Sequence, residues 1–350
     1  MKSLYCTTDM VGAETGGGIV TRNELGALRS MSEVKLLLRQ DRIAPARFHQ
    51  PESPFLYDYF ALSLISSSFK YDLAHFYSGT FSQTIRWLKA QGTKVTYTIA
   101  AHDRKTSIEE FGRLGLEYPF LHISDDFLWA LYSEGIRLAD VVITPSEKSA
   151  KLLKSEGCQN VVVIPHGVNL PQEVSPIPEQ FDVAYLGQCG PDKGLLYLIQ
   201  GWGMLNYPDS RLILAGRGTE ELETFIRQIT DRGNFVLLGQ VPDVSDVYHA
   251  CSVYVQPSVT EGFGIEILEA MSYGRPVIAS QGAGASELVG DSGFIVPIRD
   301  PGAIAEHIDW LKRNAAETRA MGQKAREKAR KYTWAKIRAV YAKMWRGLGQ

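Results

Sequence analysis

Short apolar, β-branched runs recur along the whole chain, most of them closed by Gly, Pro or a small polar residue and separated by segments with helical spacing. In the first half they fall at 4–7, 34–38, 73–77, 95–100, 141–144 and 161–165; in the second, at 183–186, 212–215, 235–238, 253–256, 277–279 and 294–296. Helical spacing fills segments such as 146–156, 195–205, 220–232 and 264–272. Strands that alternate with helices require parallel sheets joined by crossover helices. Runs that are apolar on both sides suit sheets covered on both faces.

The chain has 350 residues, enough for two domains that each bury a core. With 45% hydrophobic and 22% charged residues, it falls outside the disordered and fibrous classes. A proline-rich stretch supplies the boundary. Pro171, Pro176 and Pro178 lie close together in 168–180, where they stiffen the chain and interrupt regular structure. The expected division is a first α/β domain over 1–168, a linker over 169–180 and a second α/β domain over 181–320. Helices over 321–350 are expected to return to the first domain, with Trp334, Ile337, Val340, Tyr341 and Trp345 on one apolar stripe. Open parallel sheets place ligands outside the carboxyl ends of their strands, so function is expected there.

The net charge of −2 gives no reason to expect a nucleic-acid partner. It hides an asymmetry. Residues 311–350 hold twelve basic side chains against Glu317 and Glu327, whereas 181–310 hold seven basic against seventeen acidic. Cys6, Cys158, Cys189 and Cys251 are scattered, a pattern that suits neither a zinc site nor a disulfide framework and fits a reducing compartment. The opening MKSLYCTTDM has no signal-like apolar core, and no run reaches the roughly eighteen apolar residues of a membrane span. The expected location is the cytoplasm.

The most informative stretch is 252–280, SVYVQPSVTEGFGIEILEAMSYGRPVIAS. A strand ends at Pro257, and Gly262 and Gly264 flank Phe263 just before a helix. Glycines at such a turn let backbone N–H groups approach an anion at the helix N-terminus. Glu261 and Glu269 beside that anion suit hydrogen bonds from sugar or ribose hydroxyls. Their bland alternatives are a favourable helix-dipole contact and a solvated helix face.

This stretch resembles the signature of family 4 retaining glycosyltransferases, which carries two glutamates at the spacing of Glu261 and Glu269. LADVVITPSEKSAKLLKSEG, NVVVIPHGVNL, DVAYLGQCGPDKGLLYLIQGW, RLILAGRGTEELE and NFVLLGQVPDVSDVYHACSVYVQPS extend the resemblance in the family's order. It implies the α/β fold called GT-B, two Rossmann-like domains whose parallel sheets face across a cleft. It also implies transfer of a hexose, of mannose or glucose type, from a GDP- or UDP-linked donor that is a substrate rather than a cofactor. The acceptor would be a hydroxyl of a glycan, a lipid-linked sugar or a small molecule. By the same resemblance Glu269 binds the donor ribose and Glu261 lies at the transferred sugar. Backbone around Gly262, Phe263, Gly264 and Ile265 meets the diphosphate or sugar, and Val241 belongs to the donor pocket. Glu266 stands where the family usually has an apolar residue.

Lys193, in PDKG, matches the family's diphosphate lysine, whose charge stabilises a departing diphosphate. Gln188 stands where the family usually has an arginine that also grips the diphosphate, and an amide does not replace a guanidinium. Arg217, in AGRG, is the candidate substitute. A nucleotide-sugar-binding relative with weak or no transfer, or an epimerase or phosphorylase on the same scaffold, are the alternatives. Gly16, Gly17 and Gly18 resemble a first-domain glycine loop near the donor phosphates, with a plain flexible turn as the alternative. His102, just beyond the run at 95–100, matches a histidine set against the transferred sugar, whereas His166 is expected to pack at the domain junction. The chain holds no Asp-x-Asp triplet, so no metal ion is expected at the diphosphate. The basic tail has two readings: peripheral contact with anionic lipid on the inner face of a membrane, or neutralisation by the acidic second domain.

Overall fold

A computed structural model describes residues 1–7, 16–38, 70–77, 81–101, 103–115, 126–231 and 234–348, with Asp58, Ala61, Leu62 and Ile65. The first elements are β1 (Lys2–Thr7), α1 (Gly16–Arg29), β2 (Glu33–Leu38), β3 (Leu73–Tyr77), α2 (Ser82–Ala90), β4 (Lys94–Thr98), α3 (Arg104–Arg113), α4 (Asp126–Leu138), β5 (Val141–Thr144), α5 (Glu147–Ser155) and β6 (Val161–Val163). There follow β7 (Val183–Leu186), α6 (Leu195–Gly203), β8 (Arg211–Ala215), α7 (Glu223–Ile229), β9 (Asn234–Gly239), α8 (Val244–Ala250), β10 (Val253–Gln256), α9 (Ile265–Ser272), β11 (Val277–Ser280), β12 (Gly293–Val296), α10 (Pro301–Arg313), α11 (Ala315–Ala329) and α12 (Trp334–Leu348). Each apolar run of the sequence has become a strand.

The strands form two six-stranded sheets, ordered β2-β1-β3-β4-β5-β6 and β12-β11-β10-β7-β8-β9. Every pairing is parallel. The interior strands β3, β7, β10 and β11 are buried at every residue, which accounts for runs apolar on both faces. The edge strands β6, β9 and β12 keep exposed or half-buried positions. Side-chain caps start several helices. Asp103, Ser146, Asp243 and Asp300 each accept a hydrogen bond from a backbone N–H of the first turn of α3, α5, α8 and α10.

The chain divides into two compact units: Met1–Ala101, Tyr118–His166 and Trp334–Gln350 form one; His102–Glu117 and Gly167–Thr333 form the other. This departs from the expected boundaries in two places. Helix α3, between β4 and α4 in the chain, belongs to the second unit, where Glu110 accepts hydrogen bonds from Tyr197 at 2.5 Å and Arg299 at 2.7 Å. The basic tail is also split. α11 stays with the second unit, where Lys324 and Lys328 pair with Asp291 at 3.3 and 3.2 Å, and only α12 joins the first.

In the first unit, Trp334, Ile337, Tyr341 and Trp345 recur at the helical period and are buried. Val340, expected on the same stripe, is 47% exposed, because its position has turned to the outer side of α12. Trp345 is fully buried, edge-on to His75 at 5.0 Å, and its indole donates to Thr96 at 3.1 Å. His75 in turn meets the buried Glu24 at 3.2 Å, and Tyr5 donates to the same carboxylate at 2.9 Å. Burial pushes the Glu24 carboxyl up, but the His75 charge and these hydrogen bonds outweigh it and hold the group below its usual range.

His166 is buried 6.2 Å from the ring of Trp334. Burial lowers its imidazole to about 4, with Glu24 pulling weakly the other way. A histidine kept neutral in the fold stabilises it above the ordinary imidazole range, and that stability is lost as pH falls from about 6.5 toward 4. Replacing His166→Leu is therefore expected to flatten the loss of stability over that window by on the order of 3 kcal/mol, measured by chemical denaturation from pH 7 to pH 4.

Candidate active site

In the second sheet the chain winds outward from β7 through β8 to β9, then returns to the other side of β7 for β10, β11 and β12. The winding reverses between β7 and β10, which are direct neighbours. Loops leaving the carboxyl ends of two such strands run in opposite directions and open a crevice, the usual ligand position in an open parallel sheet. The loop after β7 carries Lys193 and the loop after β10 carries Glu261.

Backbone contacts bring these loops together. Val259 and Thr260 donate to the carbonyl of Asp192 at 2.8 and 3.3 Å. Gly194 has φ +72°, and a Cβ there would stand 2.1 Å from the Pro257 carbonyl oxygen, so only glycine fits the approach. Glu261 is fixed from the other side, donating to Gly282 at 3.0 Å and accepting from Gly284 at 3.1 Å. The result is a half-buried ion pair between Lys193 and Glu261. Burial alone would lower the Lys193 ammonium, but Glu261, Asp192 and Glu266 outweigh it and raise the group above the usual lysine range. Lys193 is therefore a permanent cation in the crevice.

Helix α9 begins at the same point. Gly264, with φ +83°, is its N-cap, and the Ala285 N–H donates to the Phe263 carbonyl at 2.7 Å, which holds the turn. The first turn of a helix presents N–H groups without intrahelical acceptors and the positive end of the dipole. Gly262, Phe263, Gly264 and Ile265 are all buried there. Glu269, one turn further on, is half-buried and accepts from the phenol of Tyr248 at 2.9 Å. Burial raises its carboxyl and the Tyr248 hydrogen bond opposes the rise. Glu266 lies between. Burial, then the carboxylates of Glu261 and Glu269, push it up to about 7, against the pull of Lys193.

Gln188 and Arg217 are placed side by side by the sheet. Gly187 donates to Ala215 at 3.0 Å and Cys189 donates to Arg217 at 2.9 Å, so the loops after β7 and β8 are hydrogen-bonded neighbours. Both side chains are exposed. Val241 is half-buried two residues beyond β9, the next strand in the sheet. Thus Lys193, Glu261, Glu269, Gln188, Arg217 and Val241 follow the carboxyl ends of four consecutive strands. Gly17 and Gly18 belong to the first unit, and they form the first turn of α1 rather than a loop before it. His102 lies outside the described residues.

Sequence reasoning missed the supports. Tyr248 is fully buried and stacks on Tyr273 at 5.1 Å. Arg275, also fully buried, donates to the Tyr248 carbonyl at 2.6 Å and to Ser175 at 3.0 and 3.1 Å. On the Lys193 side, α3 packs against the Pro191–Lys193 turn, and the Asp103 N–H donates to the Thr260 hydroxyl at 3.0 Å. Tyr248, Thr260, Tyr273 and Arg275 lie within the stretches that carry the resemblance, but no periodicity or spacing there marks them as supports. Removing the buried Glu110 leaves the Arg299 guanidinium without its partner, so Glu110→Ala is expected to destabilise the protein by about 2–4 kcal/mol, read from denaturant unfolding, with Glu110→Gln losing less.

The model of the Glycosyltransferase Family 4 matches residues 19–172, and that of the Glycosyl transferases group 1 matches residues 180–314. An O-antigen chain mannosyltransferase B of Escherichia coli is 34% identical over 186 residues, 47% of each chain, so this chain spans about half the length of that relative. A putative glycosyltransferase, EpsD, of Bacillus subtilis is 26% identical over 79% of this chain and 77% of its own length. Among solved structures, a sucrose-phosphate synthase from Thermosynechococcus elongatus superposes with a TM-score of 0.78 at 20% identity over 99% of both chains. Anabaena HepE in complex with UDP-glucose superposes with a TM-score of 0.71 at 18% identity, over 99% of this chain and 100% of its own. At such identities the structural likeness establishes the fold, GT-B.

Proposed function

Since the chain belongs to family 4 of the glycosyltransferases, the group 1 enzymes, we propose that it transfers a hexose from a UDP- or GDP-linked donor to an acceptor hydroxyl, with retention at the anomeric carbon and without a metal ion. The observation that carries this reading is the meeting of Lys193, Glu261 and the first turn of α9 where the winding reverses. A mannosyltransferase relative and a neighbour bound to UDP-glucose support a mannose- or glucose-type donor. The acceptor class is a glycan, a lipid-linked sugar or a small molecule.

In this mechanism the donor diphosphate lies against the N-terminus of α9, with Lys193 beside it. Glu269, oriented by Tyr248, accepts hydrogen bonds from the ribose hydroxyls, and Glu261 accepts from a hydroxyl of the transferred sugar. As the bond from the anomeric carbon to the diphosphate oxygen breaks, negative charge grows on the diphosphate. Lys193 and the helix dipole are placed to stabilise that charge. The acceptor oxygen bonds to the anomeric carbon from the same face and gives its proton to a phosphate oxygen. Arg217 supplies the diphosphate with the charge that Gln188 cannot.

Gln188 also favours a second reading, a relative that binds the donor and transfers poorly. Following nucleotide release from UDP-glucose and GDP-mannose, with and without acceptor, separates the two. Acceptor-dependent release supports transfer, and binding without release supports the second reading. Lys193→Ala is expected to lower kcat by roughly 10²–10³; unchanged turnover removes the lysine from the mechanism.

Peripheral contact with an anionic membrane is the further part of the proposal, and the split of the tail narrows it to α12 and the packed α1. Arg22, Arg29, Lys336, Arg338, Lys343 and Arg346 are exposed on these helices, whose single carboxylate, Glu24, is buried. Each basic residue near such a surface contributes about 1 kcal/mol. The protein is expected to sediment with phosphatidylserine vesicles at low salt and to be released at moderate salt. Protein that stays in the supernatant at low salt refutes the contact.

A further inference from the structure

Glu266 is the one carboxylate of the site's three glutamates that the mechanism leaves without a role. Glu261 is paired with Lys193, and Glu269 is held by Tyr248. Among the described residues the half-buried Glu266 carboxyl has no ion-pair partner in contact. It stands in the first turn of α9, the turn to which the donor reading assigns the diphosphate.

The titratable groups that act on it electrostatically come from several elements. They are Lys193 from the turn after β7, Glu261 from the loop after β10, Glu269 from α9 itself, and the phenols of Tyr185, Tyr248 and Tyr254 from β7, α8 and β10. With all three glutamates ionised, two would remain beyond the charge of Lys193, and an incoming diphosphate would meet net repulsion at close range.

We infer that Glu266 is a donor-binding residue that holds the diphosphate as its neutral acid, donating the carboxyl proton in a hydrogen bond to a phosphate oxygen. Capture of the nucleotide sugar is then linked to a proton. When Glu266 is ionised beforehand, a proton from solvent joins its carboxylate oxygen as the donor binds, and it leaves again with the nucleotide. No covalent bond changes. The direction follows from the free site, where burial and the carboxylates of Glu261 and Glu269 push Glu266 up to about 7. Below that pH the acid is already in place, and above it each pH unit weakens binding about tenfold.

The inference rests on the donor reading, and one experiment separates their failures. Binding of UDP-glucose and GDP-mannose is measured calorimetrically from pH 6 to 8.5, in buffers of different ionisation enthalpy. The substituted diphosphates of these donors do not themselves titrate in that range. The wild-type protein is expected to bind one donor about tenfold more weakly at pH 8 than at pH 6, with proton uptake approaching one per donor. Glu266→Gln keeps a hydrogen-bond donor without a titrating group, so it is expected to bind nearly as tightly at pH 6 and to show neither pH dependence nor uptake. Glu266→Val is expected to bind about tenfold more weakly at pH 6, again without pH dependence. A pH-independent wild type, or a slope that survives in Glu266→Gln, overturns the inference while leaving the donor reading in place. Failure of both donors to bind at any pH overturns the donor reading and the inference with it.

Discussion

A parallel sheet cannot be wound from one chain in both directions without a point where the crossovers part, and in the second unit that point lies between β7 and β10. The two loops that leave it separate above the sheet, so polar side chains on them face a crevice instead of packing under a helix. Everything else in the candidate site is arranged around that gap. Backbone hydrogen bonds from Val259 and Thr260 to Asp192 draw the loops close, and the missing Cβ of Gly194 permits the approach. Lys193 and Glu261 are consequently neighbours although 68 positions separate them in the chain.

The charge of this crevice is unusual for a place that receives a polyanion. Glu261, Asp192 and Glu266 act on one lysine, and Glu269 stands a turn along α9 from Glu266, in a unit whose residues 181–310 are strongly acidic. The arrangement is consistent if Glu261 and Glu269 serve hydroxyl groups and the anion is left to the lysine, the helix N-terminus, Arg217 and Glu266 as its neutral acid. Carboxylates accept hydrogen bonds strongly and suit the hydroxyls of ribose and hexose. Separate supports keep the roles apart. Tyr248, backed by the buried Arg275, steadies Glu269, while Lys193 steadies Glu261.

The two units also draw on the chain in ways that sequence order hides. Helix α3 lies between β4 and α4 in sequence, yet its buried Glu110 is bound to Tyr197 and Arg299 of the second unit. At the far end of the chain, α11 and α12 have similar basic compositions and go to different units. α11 is drawn to the second by Asp291 and the close backbone approach of Gly322 to Gly274. α12 is drawn to the first because its stripe of Trp334, Ile337, Tyr341 and Trp345 covers apolar surface there. A basic helix thus follows its apolar side, and the charges take whatever exposure remains.

The sequence by itself determined the strands, their parallel pairing and the presence of a glycine-bordered turn between Glu261 and Glu269. Each of these is set by local periodicity or by backbone freedom, which neighbouring residues carry in full. It also determined which residue types are available near that turn, Lys193 and Gln188 among them, through the resemblance of several ordered segments. Tertiary structure decided the rest. That Arg217 lies beside Gln188 depends on β7 and β8 being adjacent, which no local pattern specifies. That Glu266 faces two other carboxylates, that Val340 turns outward, and that Glu110 and Arg275 become buried charges all depend on which surfaces meet once the sheets are wound. Burial and electrostatic coupling are properties of distance in space, and the sequence records only distance along the chain.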